Sequence, residues 1–514
     1  MSDAVAFVGG TVRIGTGSAA EGILIERGAV ALVGTRREVL RARPEGAETV
    51  ELGGRLVVPG FIDAHMHLEE LVRSREGVDL RGCASVDELV ERASLWSARH
   101  PRGPVFGSGW DQERLARYPV RQDLERISTD RPVLLVRVCG HVAALNGRAL
   151  EELRVGEVVT DPPGGRVGRD GSGRPDGRLF DRALDPLWRY LAENVRPTPE
   201  SVRSTLDHAA SLGLTTLSSM SAGAQEVELA QALAATGPLA VRLRFYVRPD
   251  FLYHRFPRRT GDDDPAVAVS GLKLMIDGAL GARTAWLEGE YTDAPGERGL
   301  PQFDDVRLRA FLAEARHEGL PVALHAIGDR ALRQALQALD AVPSVGVPRI
   351  EHASMTPPSL RALLEKVQPR LVVQPGFVTS DRWLADRIGV ERARWAYAFR
   401  SLKGIGLNLA GSSDAPVEPL DPWGGMRAAV DRSDPPATSV ADPESLTAEE
   451  ALSLYTSGGG EALGEPRLGR LTVGSPADLV ILNAGSLNEA LRSTTSIRET
   501  WMKGRRTFHR AALA

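Results

Sequence analysis

The sequence has little cysteine, no long apolar run and no basic leader. Of its 514 residues two are cysteines, Cys83 and Cys139, and neither belongs to a CxxC motif, so neither a disulfide framework nor a cysteine zinc site is indicated. No apolar run approaches the roughly 20 residues that a membrane-spanning helix needs. The N-terminal segment carries an acid and lacks the basic region of a secretory signal peptide. These absences predict a soluble, cytoplasmic protein.

An excess of charge of one sign is also missing. Lysine and arginine number 63 and aspartate and glutamate 67, which gives a formal net charge of −4. Because the basic residues do not cluster, neither nucleic acid nor an anionic membrane is expected as a partner. The chain is long enough for one large domain with additions, or for three domains of ordinary size.

Eight short apolar runs, separated by amphipathic segments, dominate the middle of the chain. Such segments, for example VRLRAFLAEARHEG, carry apolar residues at helical spacing. Eight strands alternating with helices predict an α/β fold, a (β/α)₈ TIM-like barrel. The eight runs are 57–67, 214–220, 241–247, 271–277, 321–328, 349–355, 370–376 and 404–414.

Strand-like segments at both ends of the chain flank this series. Residues 1–55 and 465–514 contain short apolar stretches punctuated by glycine, which predict one β-sandwich-like domain built from both termini. The barrel is predicted over 56–464. Within it, the segment after the first strand is far longer than a crossover requires, so 69–205 is predicted to be an inserted subdomain over the barrel mouth. This subdomain contains the strand-like PVFGSGW and RPVLLVRV and the loop-rich DPPGGRVGRDGSGRPDGR.

The first run ends in two histidines, His65 and His67, spaced so that both imidazoles lie on one face of a strand. Two neutral imidazoles in that position can chelate a divalent ion. Four more residues able to bind a metal follow the later runs, where the catalytic side chains of a barrel gather. Each taken singly has an ordinary explanation, such as a turn or a core position, but the shared placement favours a site. The six residues are His65, His67, Lys273, His325, His352 and Asp414.

Several motifs at these places resemble a known family. PGFIDAHMH, LKLMIDGALGART, ALHAIGDRA, RIEHASM and AGSSDAPV resemble the metal-dependent barrel of the amidohydrolase superfamily. More narrowly, GSGWD, CGHVAALN, DPPGG and DGALGART resemble its YtcJ-like branch, which includes N-substituted formamide deformylases. The resemblance covers nearly the whole chain, and it is not specific for a substrate.

The resemblance implies a divalent metal, zinc being the first expectation, with one or two ions per chain. His65, His67 and Asp414 would hold one ion, and His325 and His352 a second. Lys273 would bridge the two as a carbamate. Asp414 would also be the catalytic acid and base, taking a proton from water and delivering it to the leaving nitrogen. The implied reaction is hydrolysis of a C–N bond in a non-peptide amide, an N-substituted formamide or N-acyl amine, and a homodimer is the default assembly.

Four residues are candidates for substrate contact: Trp110, Asp111, His141 and Arg283. Two other enzyme activities stay open, deamination at a single metal and opening of a cyclic amide. An alternative from another class is a catalytically silent barrel that serves as a scaffold, although such a scaffold would be expected to have lost metal ligands. No GxSxG, HExxH or Walker-type motif is present.

Overall fold

A computed structural model describes residues 3–15, 18–156, 160–248, 264–432, 442–493 and 497–511. Its strands are β1 Ala4–Gly15, β2 Ser18–Glu26, β3 Ala29–Gly34, β4 Glu48–Glu51, β5 Leu56–Pro59, β6 Phe61–Met66, β7 Val78–Asp79, β8 Val105–Trp110, β9 Val133–Arg137, β10 Val142–Leu145, β11 Gly165–Arg169, β12 Pro175–Asp181, β13 Leu214–Ala222, β14 Arg242–Val247, β15 Val267–Met275, β16 Val322–Ala326, β17 Arg349–His352, β18 Arg370–Val373, β19 Leu409–Gly411, β20 Leu479–Leu482, β21 Ile497–Met502 and β22 Arg505–His509. Its helices are α1 Arg36–Ala42, α2 Leu68–Glu76, α3 Val86–Arg99, α4 Gln112–Leu115, α5 Arg121–Glu125, α6 Gly147–Glu152, α7 Asp185–Asn194, α8 Pro199–Ser211, α9 Ala224–Thr236, α10 Asp305–His317, α11 Asp329–Ala341, α12 Arg361–Val367, α13 Phe377–Ser380, α14 Leu384–Ile388, α15 Val390–Ala393, α16 Phe399–Gly404, α17 Pro422–Asp431, α18 Ala448–Leu454, α19 Ser457–Ala462 and α20 Leu487–Arg492.

Eight parallel strands form a nearly closed barrel, and this confirms the predicted fold class. Their order around the sheet is β6-β13-β14-β15-β16-β17-β18-β19, and each of the eight predicted runs overlaps one of them. Most of their residues are buried, because helices cover the outside and side chains fill the inside. The amphipathic segments predicted between the later runs are the helices α10 and α11.

Hydrogen bonds join the first and last strands of the barrel. Asp414 N donates to His65 O at 2.8 Å, and Ser413 N donates to the Asp63 carboxylate at 3.1 and 3.2 Å. Burial raises the pKa of Asp63 to about 7, and the hydrogen bonds from Ser413 and His65 oppose this shift. These bonds fix the ends of β6 and β19 side by side.

Strands from both ends of the chain form a second, eight-stranded sheet. Its order is β22-β21-β20-β5-β1-β2-β3, with β4 also paired to β1. Strand β5 belongs to this sheet, and the chain then passes through Gly60 directly into β6 of the barrel. The metal-binding histidines predicted on β6 are therefore anchored from behind by a separate sheet. The exact domain boundaries stay a prediction.

The segment between β6 and β13 contains a third sheet, of mixed direction, with the order β11-β12-β10-β9-β8-β7. Its strands β8 and β9 coincide with the two strand-like runs predicted there. The loop-rich stretch 161–178 also contains β11 and the first part of β12. Asp170 closes the hairpin by accepting hydrogen bonds from the backbone of Ser172 and Arg174 at 2.8 and 3.1 Å. The many glycines of this stretch are typical of a loop, so no pattern in the sequence indicated the strand pair.

A buried arginine connects the inserted sheet to the barrel. Arg387 is 1% exposed and donates to Asp293 at 2.7 Å and to the carbonyl groups of Leu280 and Gly281 at 2.9 and 2.8 Å. It also pairs with Glu113, which belongs to the inserted segment. Because one planar guanidinium bonds three separate segments, the insertion is held in place over the barrel mouth.

Among the described residues, no helix has both the length and the apolar character to cross a bilayer.

Candidate metal centre

The structure brings the six predicted ligand residues together at the carboxyl ends of the barrel strands. All six line a single cavity of about 1340 Å³ between the barrel and the inserted sheet. The rings of His65, His67, His325 and His352 form a continuous group, with neighbouring centroids 4.4 to 5.4 Å apart. This is the end of a barrel at which catalytic residues are found.

His65 is held in one tautomer by a buried carboxylate. Its Nδ1 lies 2.6 Å from Glu351 Oε2, and both side chains are fully buried. Burial alone would raise the pKa of Glu351, but Arg349 and then His65 outweigh it and hold that pKa far below its usual range. Since an ionised carboxylate can only accept, the ring proton lies on Nδ1. The lone pair of His65 Nε2 therefore faces Asp414 Oδ1, 3.2 Å away, and Lys273 Nζ, 3.3 Å away.

His67 has the same tautomer for a different reason. Its Nδ1 lies 3.1 Å from the carbonyl oxygen of Met220, which also only accepts, so the lone pair of Nε2 is free. Both imidazole Nε2 atoms lie 3.2 Å from Asp414 Oδ1. Burial alone would raise the pKa of Asp414, but His65 and His67 hold it well below its usual range.

Three possible metal-ligand atoms thus meet at one place. His65 Nε2, His67 Nε2 and a carboxylate oxygen of Asp414 all lie within 4.8 Å of one another. Burial alone would lower the pKa of His67, but the Asp414 carboxylate outweighs burial and raises that pKa. Two imidazoles and a carboxylate are the ligand types of zinc and similar ions. The donor set fits a divalent cation.

Lys273 lies beside this group. Its Nζ is 3.3 Å from His65 Nε2, and the side chain is 2% exposed. Burial lowers the pKa of Lys273 to about 8, although Glu351 and Asp414 oppose the shift. A substantial fraction of this amine is therefore uncharged near neutral pH.

His325 and His352 complete the group as neutral imidazoles. Burial lowers the pKa of His352 to about 3 and that of His325 well below its ordinary value. His352 Nδ1 is 2.7 Å from Gln374 Oε1, which leaves Nε2 free, and His325 Nε2 is 3.1 Å from Gly278 O, which leaves Nδ1 free. Each histidine keeps one nitrogen for a metal while a second group fixes the ring.

Sequence reasoning missed the residues that orient these ligands. Glu351 sits inside the motif RIEHASM and Arg349 precedes it by two positions. The signal was an arginine and a glutamate on the same face of an otherwise apolar strand, where a charged pair is rare unless it has a specific task. Gln374 gave no such signal, because a single amide after a strand is common.

The four candidate substrate contacts fall into two groups. Asp111 and His141 line the cavity. Trp110 is fully buried, and its indole Nε1 donates to Leu135 O at 2.9 Å. Arg283 is bound to the Asp293 carboxylate at 2.8 and 3.1 Å. The last two therefore support the cavity walls from behind, and substrate contact by any of the four stays a prediction.

Gly278 is a close-packed point of the site, and replacing it with alanine is expected to damage the site. An added Cβ would overlap Thr284 Oγ1 and lie 2.5 Å from Asp181 Oδ1. Because Gly278 O accepts the hydrogen bond of His325, the shift would turn that ring. We expect Gly278→Ala to lose about 1–3 kcal/mol in free energy of unfolding and to weaken metal binding, measured by denaturant melts and metal titration. Gly404→Ala, where a Cβ meets nothing within 4 Å, is the control; equal behaviour of the two variants would contradict the argument.

Comparison with known sequences agrees with this site. The model of the amidohydrolase family matches residues 48–508. YtcJ of Bacillus subtilis, named as an amidohydrolase, is 30% identical over 515 residues, which cover 96% of this chain and 97% of that protein. An N-substituted formamide deformylase of Arthrobacter pascens is 26% identical over 91% of this chain and 90% of its own.

Comparison with solved structures gives the same result. A metal-dependent hydrolase from Pyrococcus horikoshii superimposes with a TM-score of 0.79 and 32% identity, over 94% of this chain and 97% of that one. A metal-dependent hydrolase from Pyrococcus furiosus gives a TM-score of 0.76 and 34% identity, over 94% and 99%. The chain belongs to the amidohydrolase family and is a metal-dependent hydrolase of C–N bonds other than peptide bonds.

Proposed function

We propose that this hydrolase cleaves the C–N bond of an N-substituted formamide or a related N-acyl amine, with zinc as the metal. The observation that carries the proposal is the meeting of one possible ligand atom from each of His65, His67 and Asp414 within 4.8 Å of one another. The likeness to a formamide deformylase along nearly the whole chain supports the substrate class.

The same group of residues would hold two ions. His65, His67 and Asp414 would hold one, and His325 and His352 the other. Lys273 would bridge them after its amine adds CO₂, since a carbamate offers two anionic oxygens where an ammonium would repel a cation. The addition needs an uncharged amine, and burial provides one by lowering the pKa of Lys273 to about 8.

The reaction needs an attacking water, a polarised carbonyl and a proton for the leaving nitrogen. A bound divalent ion supplies the first two, because it lowers the pKa of water and withdraws electrons from the carbonyl oxygen. Asp414 supplies the third: its carboxylate takes the proton from the attacking water and passes it to the nitrogen as the C–N bond breaks. Glu351 and Gln374 keep the rings of His65 and His352 in place meanwhile.

The cavity suits a substrate with a sizeable apolar group on nitrogen. Its volume of about 1340 Å³ far exceeds that of a formyl group, and it is larger than the roughly 300–1,000 Å³ of a typical small-molecule pocket. The remaining space would hold the N-substituent. Aromatic side chains contribute to its wall: Phe106, Trp188, Phe303, Phe311, Phe377 and Trp383.

Metal content per chain tests the proposal, compared between wild type, Lys273→Ala and Lys366→Ala. Lys366 is an exposed lysine paired with Asp340 and serves as the control. We expect about two ions in the wild type and in the control, and about one or fewer in Lys273→Ala, because the bridge is lost. Native mass spectrometry of the wild type should show a mass increment of one CO₂ that Lys273→Ala lacks.

Other outcomes would change the assignment. One ion in every variant would remove Lys273 from the site and favour a single-metal deaminase. No ion after reconstitution with zinc, manganese, iron or cobalt would argue against the proposed metal site. With metal bound, turnover of a panel of formamides and N-acyl amines tests the substrate class directly.

A further inference from the structure

The side chains of His141 and Asp181 form a pair at the cavity that has no role in the proposed reaction. His141, in the loop between β9 and β10, faces Asp181, the last residue of β12. His141 Nδ1 lies 2.7 Å from Asp181 Oδ1, and Asp181 N donates to His141 O at 3.0 Å. Both residues line the cavity. The inserted sheet therefore presents an imidazole of fixed orientation to the site.

The bond to Asp181 decides which nitrogen of His141 can meet a substrate. A carboxylate only accepts, so the proton lies on Nδ1, and Nε2 of the neutral ring is an acceptor. Within the part of the chain that the structure describes, Nε2 has no hydrogen-bond partner from the protein. Asp181 Oδ2 is likewise buried without a partner there. The pair thus has unused hydrogen-bonding capacity at the cavity wall.

This acceptor lies next to the metal ligands. The ring centroids of His141 and His325 are 5.4 Å apart. Gly278, whose carbonyl accepts from His325, packs so closely on Asp181 that a Cβ would come within 2.5 Å of Oδ1. An amide whose carbonyl oxygen lies at the ligand group would have its nitrogen two bonds away from that oxygen. The N–H of a secondary amide needs an acceptor in this position, because a buried donor without a partner is costly.

We propose that His141 Nε2 accepts the N–H of the scissile amide, with Asp181 as the positioning residue that sets the tautomer. The enzyme then selects secondary amides over N,N-disubstituted ones, since a tertiary amide has no N–H and would place an alkyl carbon against the lone pair. This inference rests on the proposed amide hydrolysis and narrows its substrate class.

The test compares N-butylformamide with N-butyl-N-methylformamide on the metal-loaded enzyme. We expect kcat/KM to favour the secondary amide by about 10- to 100-fold in the wild type, the range expected when one buried hydrogen bond is lost. His141→Phe keeps a ring but removes the acceptor, and should bring this ratio to within about threefold of one. Asp185→Asn changes another cavity carboxylate, one with no bond to His141, and should keep the wild-type ratio.

The role of Asp181 needs a separate readout. Its φ of 47° is one that glycine adopts freely, so Asp181→Gly removes the carboxylate without backbone strain. Nitrogen NMR of histidine-labelled protein, with the His141 signal assigned by its loss in His141→Phe, should show the proton on Nδ1 in the wild type. In Asp181→Gly we expect it to shift toward Nε2, together with a lower secondary-to-tertiary ratio.

The outcomes separate the inference from the function on which it rests. An unchanged ratio in His141→Phe, or an equal loss of activity on both amides, would overturn the inference, because His141 would then not act on the N–H. A metal-loaded wild type that hydrolyses neither formamide would instead refute the proposed function. Zinc content should equal that of the wild type in His141→Phe.

Discussion

Asp414→Asn is expected to lower kcat by about a thousandfold while leaving the fold intact, since general acid and base catalysis contributes roughly 10²–10⁴. The amide cannot take a proton from water or return one to nitrogen. It also removes the negative charge that lies 3.2 Å from Nε2 of both His65 and His67. Both effects act in the same direction, so this single change should be among the most damaging to activity.

The backbone should tolerate this change. Asp414 has a φ of 56°, in the left-handed region that asparagine, like aspartate, adopts more readily than most residues. Its N–H bond to His65 O would remain. Far-ultraviolet circular dichroism and the denaturation midpoint should therefore stay close to those of the wild type.

Steady-state kinetics and metal content measure the effect together. Asp421→Asn is a matched control: Asp421 is the N-cap of α17, a position at which asparagine is equally good, and kcat should stay within about twofold. Turnover of Asp414→Asn near the wild-type rate, with the metal retained, would show that another group moves the proton.

The sequence predicted the barrel and the shared position of the six candidate ligands because both follow from local patterns. A buried parallel strand is a short apolar run, and a ligand follows the end of such a run, so His325 or Asp414 could be placed without any tertiary information. His65, on β6, and His67, just after it, needed only the two-residue period of a strand.

What the sequence could not predict are contacts between residues far apart in the chain. Glu351 bonds His65 across 286 positions and Asp181 bonds His141 across 40, and no local pattern specifies either pair. Trp110 and Arg283 became candidates for substrate contact because they belong to the motifs GSGWD and DGALGART, which resemble the family. Whether such a side chain faces the cavity or the wall behind it depends on packing between the inserted sheet and the barrel, as the bond from Trp110 to Leu135 O shows.

Glu351→Gln is the change expected to have the largest effect on both stability and metal affinity. Both carboxylate oxygens accept: Oε2 from His65 Nδ1 at 2.6 Å and from Arg349 at 3.1 Å, and Oε1 from Arg349 Nε at 2.5 Å. Glutamine must put an NH₂ group in place of one oxygen. If the NH₂ group faces Arg349, it meets another hydrogen-bond donor. If it faces His65, Nδ1 must accept, and the ring proton is forced to Nε2.

Either orientation of the glutamine amide is expected to lower the free energy of unfolding or the metal affinity. If the proton of His65 moves to Nε2, the lone pair that faces Asp414 is lost, and metal affinity should fall by about 10- to 100-fold. In both orientations Arg349 is left as a buried cation, 3% exposed, without its carboxylate. Its stacking on the Tyr246 ring, at 4.5 Å from the centroid, does not replace that charge. Breaking one side of a buried ion pair typically costs about 3–5 kcal/mol.

A double variant separates the two effects. Glu351→Gln/Arg349→Met removes the unpaired cation, so it should recover much of the free energy of unfolding, measured by denaturant titration without metal. It should recover less of the zinc affinity, measured by competition with a chelator, because a neutral amide oxygen accepts from His65 Nδ1 more weakly than the carboxylate does. Glu365→Gln, which breaks an exposed pair with Arg361, is expected to change stability by less than about 1 kcal/mol. If Glu351→Gln bound zinc as tightly as the wild type, Glu351 would not be what sets the tautomer of His65, and the free electron pair on Nε2 would need another cause.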